Sequence, residues 1–253
     1  MTQLHCKHLD ITIGKTSVCR DLNVQMNAGE SWVVLGKNGS GKTTLIHTLA
    51  GLRQADTGEI IIQDQLLPNY SRQLLAQKIG VLFQNDEESF PSTVLESTLI
   101  GRHPYLNWMQ WESKNDVILA EYSLEQMGLL PLKKRDIHTL SGGERRRTRI
   151  ACLLTQNPDI ALLDEPNNHL DIQHQIETLT ILKQQFKNKL LFMSAHDVNL
   201  ANRFCTHALL LLGNGEYICG EIKDVVTTEN LEQLYGININ KFSQGNQTLF
   251  FPA

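Results

Sequence analysis

Residues 32 to 46 read WVVLGKNGSGKTTLI: an apolar run, a glycine-studded turn, then a second apolar pattern with helical spacing. Within it Gly36, Lys37, Asn38, Gly39, Ser40, Gly41, Lys42 and Thr43 satisfy GxxxxGK[ST] at every fixed position. The context matters as much as the match. Ser31 to Leu35 predicts a strand and Lys42 to about Leu52 a helix, so the turn feeds a helix N-terminus. Glycines there let successive backbone N–H groups point inward around phosphate oxygens, reinforced by the positive end of the helix dipole. Lys42 would bring a full charge to the β- and γ-phosphates and Thr43 a hydroxyl to Mg²⁺. The expected ligand is a nucleoside triphosphate on an α/β scaffold.

Working outward, Leu22 to Met26, Glu59 to Gln63 and Ile79 to Phe83 read as further strands. From roughly Asn85 to Gln156 the β-branched runs give way to helical patterns. In Asn115 to Met127, Val117, Leu119, Ala120, Leu124 and Met127 approximate an apolar helical face. Strands return at Ile160 to Leu163 and Leu190 to Met193, each followed by a helix. The organisation expected is an ATP-binding core, 1–85 and 157–253, interrupted by a helical lobe, 86–156, with a C-terminal extension from about 228.

The run Ile160 to Leu163 ends in Asp164-Glu165. Neighbours on a strand point to opposite faces, but where the strand ends the turn lets both reach one site. Asp164 is the candidate metal ligand and Glu165 the candidate general base for an attacking water. Two adjacent carboxylates alone would be as well explained as solvated punctuation; downstream of a phosphate loop they gain chemical meaning.

Composition bounds the alternatives. The chain has 253 residues, 41% of them hydrophobic, and a net charge of −4. That balance gives no global field for nucleic acid or anionic lipid. The longest aliphatic run, Ala208 to Leu212, falls far short of the roughly 20 residues that a bilayer needs. The opening MTQLHCKHLD lacks the order of a secretion signal. Five cysteines without a CxxC pair suggest reduced thiols in a cytosolic protein. His5, Cys6 and His8 cluster, with 6 and 8 expected on one strand face and 5 on the other, but no second ligand cluster supports a metal site.

Leu140 to Ala151, LSGGERRRTRIA, packs Arg145, Arg146, Arg147 and Arg149 into one short run. Ser141 is a good N-cap, and Gly142 and Gly143 allow an anion to approach unsatisfied amides. Ile150, Leu153 and Leu154 give the helix its apolar stripe, leaving the arginines for salt links within the chain or for a partner. No matching aromatic or basic surface supports a nucleic-acid role.

LSGGE together with GKNGSGKT, LLDEP and SAHD resembles the ATP-binding cassette (ABC) ATPases, in the family's order and over nearly the whole chain. The resemblance implies a phosphate-loop NTPase (RecA-like) core with an antiparallel β subdomain and an inserted α-helical subdomain, using ATP and Mg²⁺. It implies that Gln84 senses Mg²⁺, that Asp171 of Asn168-His169-Leu170-Asp171 communicates across a dimer, and that His196 contacts the γ-phosphate. Thr44 joins the phosphate-binding set, and Ser141, Gly142, Gly143 and Glu144 serve the nucleotide on the opposite subunit. Ile13 stands where the family usually stacks an aromatic on adenine; it packs on a base without offering a π face. Asn167 replaces a common threonine, an exchange expected to be harmless.

Softer similarities narrow the group. Ile100 to Leu106 resembles the GRxPxL region of importers of iron chelates, haem and cobalamin, as do the HDVN segment after Ala195 and the stretch Thr228 to Ile237. The resemblance implies a head-to-tail homodimer serving integral-membrane permease subunits at the cytoplasmic face of the inner (plasma) membrane, with a periplasmic binding protein as indirect partner. The alternative is a soluble cassette in iron–sulfur cluster assembly or at the ribosome. NNHLD is similar to the ribosome-linked group, though those proteins carry two cassettes per chain.

Overall fold

The computed structural model describes residues 2–84, 91–245 and 247–253. Two sheets face each other. The first is antiparallel, in the order β2–β1–β4–β5, from β1 (Thr2–Ile13), β2 (Thr16–Asn27), β4 (Thr57–Ile62) and β5 (Gln65–Leu66). The second runs β10–β9–β3–β8–β7–β6, from β3 (Ser31–Gly36), β6 (Ile79–Leu82), β7 (Ile160–Leu163), β8 (Leu190–Ser194), β9 (His207–Gly213) and β10 (Glu216–Glu221). Its inner pairings are parallel, and β10 closes one edge antiparallel.

The parallel strands are apolar without alternation because both faces are covered. Val33, Leu35, Ala161, Leu163, Leu191 and Met193 enter one core. Their neighbours Trp32, Val34, Ile160, Leu162, Leu190 and Phe192 enter the other, against the antiparallel sheet and helix α1 (Lys42–Leu49). Phe192 is fully buried; truncating such a ring costs about 3–5 kcal/mol.

Between α1 and β7 lie α2 (Arg72–Lys78), α3 (Val94–Leu99), α4 (Lys114–Gln126) and α5 (Gly142–Gln156). Each of the last three opens with a reciprocal cap: Thr93 with Glu96, Ser113 with Asp116, Ser141 with Glu144. Such boxes satisfy two orphan donors at once and fix where each helix starts. After β7 come α6 (Ile172–Gln185), α7 (Val198–Phe204), α8 (Ile222–Val225) and α9 (Thr228–Tyr235). The chain closes with a hairpin of β11 (Ile239–Gln244) and β12 (Gln247–Pro252). The expected boundary at 85/86 lies outside the described residues.

Three expectations need correction. On α4, Ala120, Leu124 and Met127 are buried, but Leu119 is 45% exposed and Val117 only half-buried. The buried face is therefore narrower than the periodicity implied, and Asp116, paired with Arg102, completes it. In β1, Cys6 is buried while His8 is exposed, so they do not share a face. His8 sits at φ +48 where the register slips between Cys6 and Leu9, and a bulge of that kind breaks the alternation. The described bonds of Arg146 and Arg147 run to backbone carbonyls. The helix α1 also stops at Leu49, ahead of the expected Leu52, because Gly51 turns the chain at φ +72.

Candidate active site

Four loops leave the carboxyl ends of four adjacent parallel strands. In spatial order β3, β8, β7, β6 they deliver the phosphate loop, His196, Asp164-Glu165 and Gln84. Such an edge of an open α/β sheet is where ligands bind, because helix N-termini and free loops gather there.

The phosphate loop is shaped by its glycines. A Cβ on Gly41, at φ +99, would collide with Val18, and one on Gly36 with Ser40. Lys42 is buried and donates from Nζ to Gly36 O at 2.9 Å and to Lys37 O at 3.3 Å. Burial pulls its pKa below the usual lysine value, and the nearby charges of Glu165 and Asp164 oppose that pull. A cavity of about 400 Å³ is lined by Ile13, Asn38, Gly39, Gly41, Lys42, Thr43, Thr44, Gln84, Glu165 and His196. Residues separated by more than 180 positions in the chain are thus brought to one concavity.

Glu165 is the hub. It sits at φ +48, which turns its side chain away from the strand alternation and toward the cavity. His196 Nε2 lies 2.5 Å from Oε1, Gln84 Nε2 donates to Oε2 at 2.9 Å, and Asn168 Nδ2 donates to the same Oε2. Burial alone would raise the carboxyl pKa, but the bonds from Asn168 and His196 outweigh it and hold the group ionised below its usual range. Asp164 is almost fully buried, accepts from Ser194 Oγ at 2.5 Å through Oδ1, and leaves Oδ2 with no partner among the described residues. A buried carboxylate oxygen left unpaired is costly unless a cation completes it. This oxygen, the Thr43 hydroxyl and the Gln84 amide oxygen are all hard oxygen donors of the kind Mg²⁺ takes; Thr43 and Gln84 line the cavity, and Asp164 is not among its lining residues.

Sequence reasoning assigned no role here to Arg146, Asn168 or Ser194 individually. Arg146 forks onto Phe83 O at 2.5 Å, Asp164 O at 2.6 Å, Glu165 O at 2.7 Å and Pro166 O at 3.2 Å. One guanidinium from α5 thereby pins both the strand end before Gln84 and the acidic pair. The rigid donor fork of arginine suits such a cluster of carbonyls. Ser194 was visible only as the first letter of SAHD, and Asn168 as part of NNHLD.

Ser141 to Glu144 and Asp171 lie elsewhere. Ser141 Oγ accepts from Glu144 N at 3.2 Å, while Glu144 Oε2 accepts from Ser141 N at 2.8 Å. A Cβ on Gly143 would come within 3.1 Å of His169 O, so this turn packs against the NNHLD loop. Asp171 caps α6, accepting from His174 N at 2.9 Å. Among the described residues that line the nucleotide-sized cavity, none comes from Ser141 to Glu144, and Asp171 is absent too.

Comparison with known proteins bears on this arrangement. The family described as ABC transporter matches residues 19–168. The petrobactin import ATP-binding protein FpuD of Bacillus anthracis is 33% identical over 92% of this chain and 86% of its own length. The ferric enterobactin transport ATP-binding protein FepC of Escherichia coli is 33% identical over 94% of this chain and 88% of its own. Among solved structures, a metal-chelate type ABC transporter in an inward-facing conformation superposes with a TM-score of 0.86 at 27% identity, covering 100% of this chain and 98% of that one.

Proposed function

The chain belongs to the ABC transporter family, and from that premise we propose that it powers import of a metal chelate through separate permease subunits. It is an ATP-binding subunit whose ATP hydrolysis is coupled to transport. The observation that carries the proposal is the meeting of Lys42, Gln84, Glu165 and His196 at one cavity, in a chain whose relatives are named for siderophore uptake. Those relatives speak for transport over cluster assembly or ribosome work.

In this reading the amides of the phosphate loop and the Lys42 ammonium hold the β- and γ-phosphates, and Ile13 covers the base. Thr43, Gln84 and Asp164 are the residues that would hold Mg²⁺, which when bound neutralises charge developing on the phosphate oxygens. Glu165 orients and polarises the attacking water; its depressed pKa keeps it an acceptor at neutral pH. Both Glu165 oxygens are engaged by Gln84, Asn168 and His196. Release of the Gln84 amide would open one acceptor position on Oε2 for water while Asn168 keeps its own bond there, which would tie hydrolytic competence to the placement of Gln84.

That Ser141, Gly142, Gly143 and Asp171 are not among the lining residues of the cavity supports a head-to-tail pair. There the capped start of α5 meets the γ-phosphate held by the other copy. The segment carrying α3, α4 and α5 would then move against the core and drive the permease, placing the protein on the cytoplasmic face of a membrane. No helix among the described residues is long and apolar enough to cross one. A cell lacking this chain should lose uptake of a radiolabelled iron chelate; the wild-type chain should restore it and Glu165→Gln should not. Restoration by Glu165→Gln would refute the proposal.

A further inference from the structure

The C-terminal segment grips the helix that follows His196, and nothing in the sequence motifs accounts for that grip. Asn199 Nδ2 donates to Phe250 O at 3.0 Å, and Asn199 Oδ1 accepts from Phe250 N at 2.8 Å. Its amide thus pairs with β12 as a neighbouring strand's peptide group would, occupying both edge groups of one residue. One turn later, Asn202 Nδ2 donates to Thr248 O at 3.0 Å. The Phe250 side chain is buried in the core shared with β3 and β8, so the hairpin is a fixed support. The helix α7 packs on β12 more extensively than on α6 or β3.

The grip lies close to the chemistry. Asp197 caps α7, accepting from Asn199 N at 2.8 Å and from Leu200 N at 3.1 Å, and His196 immediately precedes it. A short path therefore runs from the β12 backbone through the Asn199 side chain and the first turn of α7 to His196, whose Nε2 meets Glu165. The same C-terminal segment also reaches the phosphate loop: a Cβ on Gly236 would lie 3.5 Å from Lys37 Nζ. A helix of one or two turns has little intrinsic stability and takes its position from what it packs on.

We propose that the C-terminal hairpin is a positioning element for hydrolysis, with Asn199 as the positioning residue that holds α7 so that His196 stays aligned on Glu165. This rests on the reading of His196 as the histidine that contacts the γ-phosphate. Asn199 touches no nucleotide atom in this scheme, so its loss should act on turnover and leave ATP binding alone.

The test compares full-length wild type, Asn199→Ala and His196→Ala in steady-state ATPase assays. Alongside, the ring nitrogens of ¹⁵N-histidine-labelled protein are recorded by NMR, with His196 assigned from its loss in His196→Ala. Asn199→Ala should lower kcat by about ten- to a hundredfold, since a misplacement of about 1 Å can cost about a hundredfold. KM for ATP should stay within about twofold, the pattern of an interaction absent from substrate binding. The His196 Nε2 resonance should move as its bond to Glu165 loosens. Should Asn199→Ala not fold, Asn199→Asp keeps the acceptor for Phe250 N, sets a second oxygen against Phe250 O in place of the donor, and should show the same split. Unchanged kcat, a loss carried by KM, or a kcat loss with the His196 resonance in place would each overturn the proposal, leaving the clamp a matter of stability. Wild-type turnover in His196→Ala would instead remove the premise about His196, so the two failures are separable.

Discussion

Ser194 Oγ donates a hydrogen bond to Asp164 Oδ1 at 2.5 Å and accepts one from Glu165 N at 2.8 Å, so one buried side chain at the end of β8 ties together both carboxylate residues that follow β7. This is how two neighbouring residues with opposite strand directions are held toward one site. Ser194→Ala would strand a buried carboxylate oxygen and a buried amide. We predict a loss of about 1–3 kcal/mol per unsatisfied group, read by urea denaturation, with kcat falling more than KM rises. A stability change within 0.5 kcal/mol, the range of ordinary surface exchanges, would show that water or relaxation replaces the serine.

Ile13 borders the cavity and is 38% exposed. If it covers the base, Ile13→Tyr should gain stacking of about 0.5–1.5 kcal/mol, lowering the Kd for ATP up to about tenfold. Isothermal titration checks this. An unchanged Kd would place adenine elsewhere.

Arg102 and Asp116 form a part-buried ion pair, 2.7 Å between Nε and Oδ1, that joins the segment before α4 to its first turn. Bonds from Ser113, then Arg102, lower the Asp116 pKa from 3.8 to about 2. A depressed carboxyl stabilises the fold above its unfolded value and loses that contribution as pH falls through the folded value. At about 1.4 kcal/mol per pKa unit, the pair and cap contribute about 2 kcal/mol at neutral pH. Asp116→Asn should therefore be less stable than wild type by that order above pH 5, with the gap closing between pH 4 and pH 2. A gap that persisted at pH 2 would assign the cost to packing.

Much of the architecture was legible because its signals are local. The phosphate loop declares itself by spacing between a strand and a helix, and LLDEP and SAHD each end a strand predicted from a short apolar run. What escaped depends on distant partners. Nothing in ERRRTR reveals that Arg146 will find carbonyls of Phe83, Asp164, Glu165 and Pro166, since charge in a sequence suggests opposite charge and says nothing of unpaired carbonyls. The exposure of His8 follows from a bulge, which shifts register without any composition cue. The similar ending covered only Thr228 to Ile237, and the hairpin beyond it was read as no more than part of a C-terminal extension; its place depends on Asn199 meeting Phe250 across 51 positions.

The central claim is that one chain's Ser141 completes the site built on another chain's Lys42. Light scattering of Glu165→Gln measures this most directly, because blocked hydrolysis should trap the closed pair. With ATP and Mg²⁺ the mass should double from 28.6 kDa, and adding Ser141→Arg to the same chain should return it to the single value while ATP still binds. A single-chain mass for Glu165→Gln at saturating bound ATP would contradict the account.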